Sequence, residues 1–166
     1  MTRLFSAILP PGPVLDELVA RLGEPGSGEL RWIPRERWHL TLGFFGDDDD
    51  ETRRTKWLRR RLTGRTAPRL RLAGAGSFPG VFWAGVQTTD RVALDKLAQA
   101  AGAGRRGYTP HLTLARWRGP APRLPELLTG YTGEWFTPVE VALLRSDPGS
   151  DGPVYRLVER VPLAGA

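Results

Sequence analysis

The sequence predicts an α+β fold built on antiparallel sheet. Three observations carry that expectation. Short runs of alternating or continuous apolar residues recur along the chain. Two longer stretches place their apolar residues at helical spacing. The tetrapeptide His-Leu-Thr-Leu occurs twice, at 39–42 and 111–114.

The elements follow in order. Residues 2–9 read as a buried strand. Pro11 and Pro13 then open a helix with Val14, Leu15, Leu18, Val19 and Leu22 on one face, ended by Gly23 and followed by a Gly26-Ser27-Gly28 loop. Residues 29–33 read as a strand, Pro34 to Arg37 as a polar turn, and Trp38 to Phe45 as another strand. Five acids, Asp47 to Glu51, begin a helix that runs to about Leu62 and is rich in arginine at its far end. Acid first and base last suit the helix dipole, so both runs read as solvated helix termini in preference to a metal site on Asp47–Asp50.

Residues 68–75 and 81–87 form two strands around the turn Ser77-Phe78-Pro79-Gly80. Residues 90–101 form a second amphipathic helix burying Val92, Leu94, Leu97, Ala98 and Ala101. A Gly- and Arg-rich loop, Gly102 to Pro110, leads to a strand from His111 to Trp117. A short helix over 123–129 and strands near 132–137, 139–145 and 153–160 complete the chain, the last two separated by the loop Asp147 to Pro153. No linker divides these elements, so residues 1–166 read as a single domain, in one piece or as two small lobes sharing a core.

Composition narrows the chemistry. The absence of cysteine excludes disulfides, thiolate metal sites and cysteine nucleophiles. The N-terminal apolar stretch is too short for a signal-peptide core, and no stretch is long enough to span a membrane. The expectation is a soluble, cytoplasmic protein. Net charge is +6, and 22 of the 24 basic residues are arginine, Lys56 and Lys96 being the exceptions. An arginine excess fits a GC-rich coding sequence, yet guanidinium groups suit phosphates whatever their origin, and a basic balance favours anionic partners.

The repeated tetrapeptide carries the chemistry. It uses both histidines in the chain, and a second chance match has odds on the order of 10⁻³. The copies are 72 positions apart. A strand–helix–strand–strand order can be sketched around each, which points to duplication with one copy per lobe facing across a cleft. On a strand, Leu40 and Leu42 bury on one face while His39 and Thr41 project from the other. Leu112 and Leu114 against His111 and Thr113 repeat the pattern. Two imidazoles that titrate near neutrality supply a base and an acid for in-line displacement at phosphorus. The threonine hydroxyls can donate to the non-bridging oxygens, and no step requires metal.

At these residues the sequence resembles the two-histidine phosphoesterases, specifically the bacterial and archaeal RNA 2′,3′-cyclic phosphodiesterases once called 2′-5′ RNA ligases. The resemblance covers nearly the whole chain: Arg3 to Ile8, Leu30 to Pro34, His39 to Gly46, Phe82 to Val86, Tyr108 to Arg116 and Gly152 to Tyr155. It implies a bilobal fold of two pseudo-symmetric antiparallel sheets, with outer helices around a central cleft. It implies an enzyme that hydrolyses a 2′,3′-cyclic phosphate at an RNA end to a 2′-phosphate, without cofactor or metal and as a monomer. By the same resemblance, His39 matches the proton donor to the leaving 3′ oxygen and His111 the acceptor that activates water. Thr41, Thr113 and Arg116 match phosphate-binding positions.

Strict alternation puts Arg116 on the face opposite His111, so reaching the phosphate requires a bulge or a reach around the strand end; otherwise it is an ordinary solvated arginine. Phe44 has the equivalent offset from His39 and either packs in the core or lines the nucleotide site. Tyr108 either stacks on a base or covers the core edge. The segment from Gly102 to Gly107 is mostly Gly, Ala and Arg, where the family often has a longer, more aromatic one.

Other readings remain open. A non-catalytic RNA- or nucleotide-binding protein explains the charge but not the paired His and Thr. A phosphodiesterase on a small cyclic nucleotide explains the pair; the Arg-rich segments at 53–71 and 102–106 favour a polyanion if they face the cleft. Reverse ligation of RNA through a 2′-5′ bond is a further possibility.

Overall fold

The computed structural model describes residues 3–23, 28–47, 49–105 and 107–165. Gly26 and Ser27 of the first loop, Asp48 of the acidic run and Arg106 of the second loop lie outside the described residues. Among the described residues the chain is α+β, with antiparallel strand pairing and three α-helices.

Strand β1 (Arg3–Ile8) is buried from Leu4 onward and leads into helix α1 (Gly12–Leu22). Pro11 caps α1 and Pro13 sits in its first turn, where a missing N–H leaves no bond unmade. Val14, Leu18 and Leu22 turn inward, whereas Val19 is exposed. Strand β2 (Arg31–Trp32) and a 3₁₀ turn at Arg35–Arg37 precede β3 (Leu40–Asp47).

Helix α2 (Glu51–Leu62) is capped by Asp50, whose carboxylate accepts from the Arg53 amide at 2.7 Å. Asp49 is not solvated as expected: its side chain is only 4% exposed, because Arg53 and Arg54 close over it. Strands β4 (Leu70–Phe78) and β5 (Val81–Thr88) form a hairpin. Helix α3 (Arg91–Ala100), capped by Asp90, buries Leu94, Leu97 and Ala98 but leaves Val92 exposed. Strands β6 (His111–Arg116), β7 (Glu140–Asp147) and β8 (Val154–Pro162) complete the elements.

The expected helix over 123–129 is absent. Residues 127–130 form a turn, and Pro120, Pro122 and Pro125 before it withhold the amide donors a helix would need. The expected strand at 132–137 reduces to two isolated bridges, Leu70 with Phe136 and Ala73 with Thr132. Among the described residues, no helix is long and apolar enough to cross a membrane.

In place of two separate sheets, the described residues form one eight-stranded sheet of order β4-β5-β6-β3-β1-β7-β8, with β2 also paired to β6. Its halves meet between β3 and β6 at a single register pair, Leu40 with Leu112. Beyond that pair the two strands part, and β2 takes the place beside β6, setting Arg31 against Arg116 and Trp32 against Ala115.

Each half has its own core. Val14, Leu18 and Leu22 of α1 pack with Phe82 and Ala84 of β5 and Leu112 and Leu114 of β6. Leu94, Leu97 and Ala98 of α3, with Leu58 and Leu62 of α2, pack with Leu4, Ile8, Leu40, Leu42 and Leu143. The helix that follows β1 therefore lies under β6, and the one that follows β5 lies under β3. The order strand–helix–strand–strand does occur twice, as β1-α1-β2-β3, with a 3₁₀ turn before β3, and as β5-α3-β6-β7. One tetrapeptide copy does lie in each half, at β3 and at β6, but the halves are interlocked, because β4 pairs with β5 and β7 with β1. Each half of the sheet therefore draws strands from both halves of the chain.

Candidate active site

The Leu40–Leu112 pair sets the geometry of the site. His39 and Thr41 flank Leu40, and His111 and Thr113 flank Leu112, so the one bonded pair brings all four side chains together at the seam. Leu40, Leu42, Leu112 and Leu114 are buried against the helices. The alternate residues, His39, Thr41, His111 and Thr113, are half-buried and line one cavity of about 1070 Å³ on the opposite face.

Both imidazoles are oriented in the same way. Nδ1 of His39 lies 2.7 Å from the Arg37 carbonyl, and Nδ1 of His111 lies 2.8 Å from the Thr109 carbonyl. A carbonyl only accepts, so each Nδ1 carries a hydrogen and Nε2 is left for the cleft. Aromatic rings hold each imidazole in place. His39 has Phe5 at 4.9 Å and the edge of Tyr155 at 5.4 Å, between ring centroids. His111 has Phe78 at 5.1 Å and Trp83 at 5.9 Å.

Burial lowers the His39 pKa below the ordinary imidazole value of 6.5. Its bond to the Arg37 carbonyl opposes the shift, and the charges of His111 and Arg116 add to it. Burial likewise raises the Tyr155 phenol, against the charges of Arg116 and Arg37, so it stays protonated at neutral pH.

Of the two routes open to Arg116, the structure takes the bulge. Trp83 faces Thr113 and its neighbour Phe82 faces Ala115, so Leu114 is one residue in excess on β6. Leu114 and Ala115 are both buried, and Arg116 emerges on the cavity side. The first copy does the same at the same place. Ala7 faces Thr41 and Ser6 faces Gly43, leaving Leu42 in excess. Phe44 therefore turns to the cleft, 68% exposed, and is not a core residue. The Ser6 hydroxyl fixes this bulge, accepting from the Gly43 amide at 3.0 Å and donating to the Ala101 carbonyl at 2.6 Å.

Tyr108 takes its core-edge position. Its hydroxyl donates to the Thr41 carbonyl at 2.8 Å, burial raises its pKa, and its ring packs on the α3 core while still bordering the cavity. Among the described residues, no group of three or more His, Asp or Glu side chains is placed to hold a metal. Asp47 is paired with Arg3, Asp49 with Arg53 and Arg54, and Asp50 caps α2.

Sequence reasoning missed the rings around the histidines. Trp83 carried a usable signal, since it alternates with buried Phe82 and Ala84 and so points to the cleft face. Phe5 and Tyr155 carried none, because their approach to His39 depends on the pairing of β1 with β3 and β7 and of β7 with β8.

The chain matches the 2′-5′ RNA ligase superfamily over residues 10–149. The RNA 2′,3′-cyclic phosphodiesterase of Thermus thermophilus is 35% identical, over 98% of this chain and 91% of its own length. That of Thermotoga maritima is 28% identical, over 90% and 87%. Among solved structures, TT0787 of Thermus thermophilus superposes with a TM-score of 0.79 at 31% identity, covering 98% of both chains. E. coli LigT, solved in complex with ATP, gives 0.72 at 25% identity, also over 98% of both.

Proposed function

Because the chain belongs to the 2′-5′ RNA ligase superfamily, we propose that it is an RNA 2′,3′-cyclic phosphodiesterase, which opens the cyclic phosphate at an RNA end to a 2′-phosphomonoester. The observation that carries this reading is the shared orientation of His39 and His111. Each ring is pinned through Nδ1 to a backbone carbonyl and leaves Nε2 to one cavity.

In the proposed reaction the neutral Nε2 of His111 takes a proton from water as the water oxygen attacks phosphorus. The bond from phosphorus to the 3′ oxygen breaks, and Nε2–H of His39 protonates that oxygen. The product keeps phosphate on the 2′ oxygen and has a free 3′ hydroxyl. Thr41 and Thr113 donate to the non-bridging oxygens, whose charge grows in the transition state, and Arg116 adds positive charge there. Burial favours neutral His39. The phosphodiester anion opposes that effect, so substrate binding itself equips His39 to act as the acid.

Two imidazoles account for both proton transfers, so no step calls for a metal, a cofactor or a second subunit. The proposed active form is a cytoplasmic monomer. With an RNA 5′-hydroxyl in place of water, the same displacement joins two RNAs through a 2′-5′ bond.

The test uses a short oligoribonucleotide ending in a 2′,3′-cyclic phosphate, incubated with the protein in EDTA. A 2′-phosphate product that is lost in both His39→Ala and His111→Ala supports the reading. A cyclic phosphate bound but left intact by the unaltered protein would reduce it to a binding protein.

A further inference from the structure

The two tetrapeptide copies diverge in kind five residues after each histidine, where β3 has Phe44 and β6 has Arg116. The paired bulges bring both to the cleft. Arg116 has company there. Strand β2 sets Arg31 directly across the ladder from it, and directly opposed residues of an antiparallel pair share a face. Both side chains are exposed and line the cavity. Among the described residues neither forms an ion pair or a side-chain hydrogen bond. Like charges directly opposed across a sheet repel, so this pair is suited to an anion that bridges it. Arg37 borders the same end, its guanidinium donating to the Pro153 carbonyl at 3.0 Å. Asp151 is the one acidic side chain among the described residues lining the cavity.

The transferred phosphate does not need Arg31. It lies between the histidines and threonines, whereas the Arg31–Arg116 pair begins three residues beyond Thr113, roughly 7–10 Å along β6 at about 3.3 Å per residue. The next anion of an RNA strand is one ribose away. At the other end of the cleft Phe44 takes the equivalent place and Arg3 is tied to Asp47, so the arrangement has a single direction.

We propose that Arg31 creates a second anion subsite, which binds the internucleotide phosphate on the 5′ side of the terminal ribose, while Arg116 lies between that phosphate and the transferred one and serves both. The preferred substrate is then an oligonucleotide end and not a nucleoside cyclic phosphate. This rests on the hydrolytic reading above and deepens it.

The experiment compares kcat/KM for a dinucleotide ending in a 2′,3′-cyclic phosphate with that for the nucleoside 2′,3′-cyclic phosphate of the same terminal base. The unaltered protein should prefer the dinucleotide. Arg31→Gln should shrink that ratio by about tenfold and make the dinucleotide rate less sensitive to salt, and Arg31→Lys should keep part of the preference. A ratio left unchanged by Arg31→Gln, or a wild-type ratio near one, overturns the subsite. The same comparison by calorimetry, with the 2′-phosphate products as ligands, gives a binding ratio that needs no turnover. Absent turnover of both cyclic phosphates would then defeat the hydrolytic reading, while the binding ratio would still decide the subsite.

Discussion

The six-membered ring of Trp83 lies over Gly76, its register partner in the β4–β5 hairpin, so closely that a Cβ at Gly76 would sit 2.2 Å from Cη2. Trp83 in turn packs beside the His111 imidazole. Gly76→Ala must therefore displace Trp83 and disturb His111 without touching the cleft. We expect kcat to fall at least tenfold, since small misplacements of a reacting group are costly. Folding should weaken by about 1–3 kcal/mol from overpacking. Steady-state kinetics and urea unfolding on the same variant check both, and unaltered kcat would disconnect Trp83 from catalysis.

The two threonines should behave alike. Thr41→Val and Thr113→Val preserve shape and remove only the hydroxyl donor. Each should lower kcat by on the order of 10², as for loss of one donor to a transition-state oxyanion. KM should change far less. A loss confined to KM would make the threonines ground-state contacts.

The lowered His39 pKa predicts a difference between two pH profiles. kcat/KM reports the free protein, and kcat reports the complex in which the phosphate anion is present. With His39 as the acid, activity falls as pH rises through its pKa, and that alkaline limb should lie lower in kcat/KM than in kcat. If the acidic limb moves instead, His39 is the base and the two roles are exchanged.

Stability follows from the same shift. Between the lowered value of folded His39 and the ordinary 6.5 of the unfolded chain, the unfolded state binds more protons. This contribution is fully present above 6.5 and is lost as pH falls through the folded value. Urea midpoints at about pH 5 and about pH 7.5 should therefore differ less in His39→Gln than in the unaltered protein. An equal difference in both would mean that His39 does not resist protonation in the fold.

The Leu40–Leu112 pair predicts a large effect from a small deletion. Both side chains are almost wholly buried, each against a different core. Leu112→Ala should cost about 2–5 kcal/mol. Because it also loosens the one register pair between the halves, it should lower kcat as well, which equilibrium unfolding and kinetics would reveal together.

Much of this site was legible in the sequence, because period-two alternation tells which residues share a strand face. His39, Thr41, His111 and Thr113 needed nothing more. Arg116 posed a definite problem, one residue out of phase, and the bulge at Leu114 resolves it. The matching bulge at Leu42 was not anticipated, which is why Phe44 was a candidate for the core. A bulge is a property of two strands, and neither sequence announces it alone. The same limit applies to the single sheet, which turns on whether β3 and β6 bond at Leu40 and Leu112. The expected helix over 123–129 failed for a simpler reason: the prolines around it outweigh Leu124, Leu127 and Leu128.

The exchange of helices and strands between the two halves of the chain has a further consequence. Cut between β4 and β5, the chain would not yield two folding units. The first piece would keep α1 but lose the β5 and β6 surface that α1 covers, and the second would strand α3 in the same way. A lone copy could bury its helix only against a second copy, by reciprocal exchange. The two imidazoles thus owe their common cleft to an interlock that makes each half of the molecule the scaffold of the other.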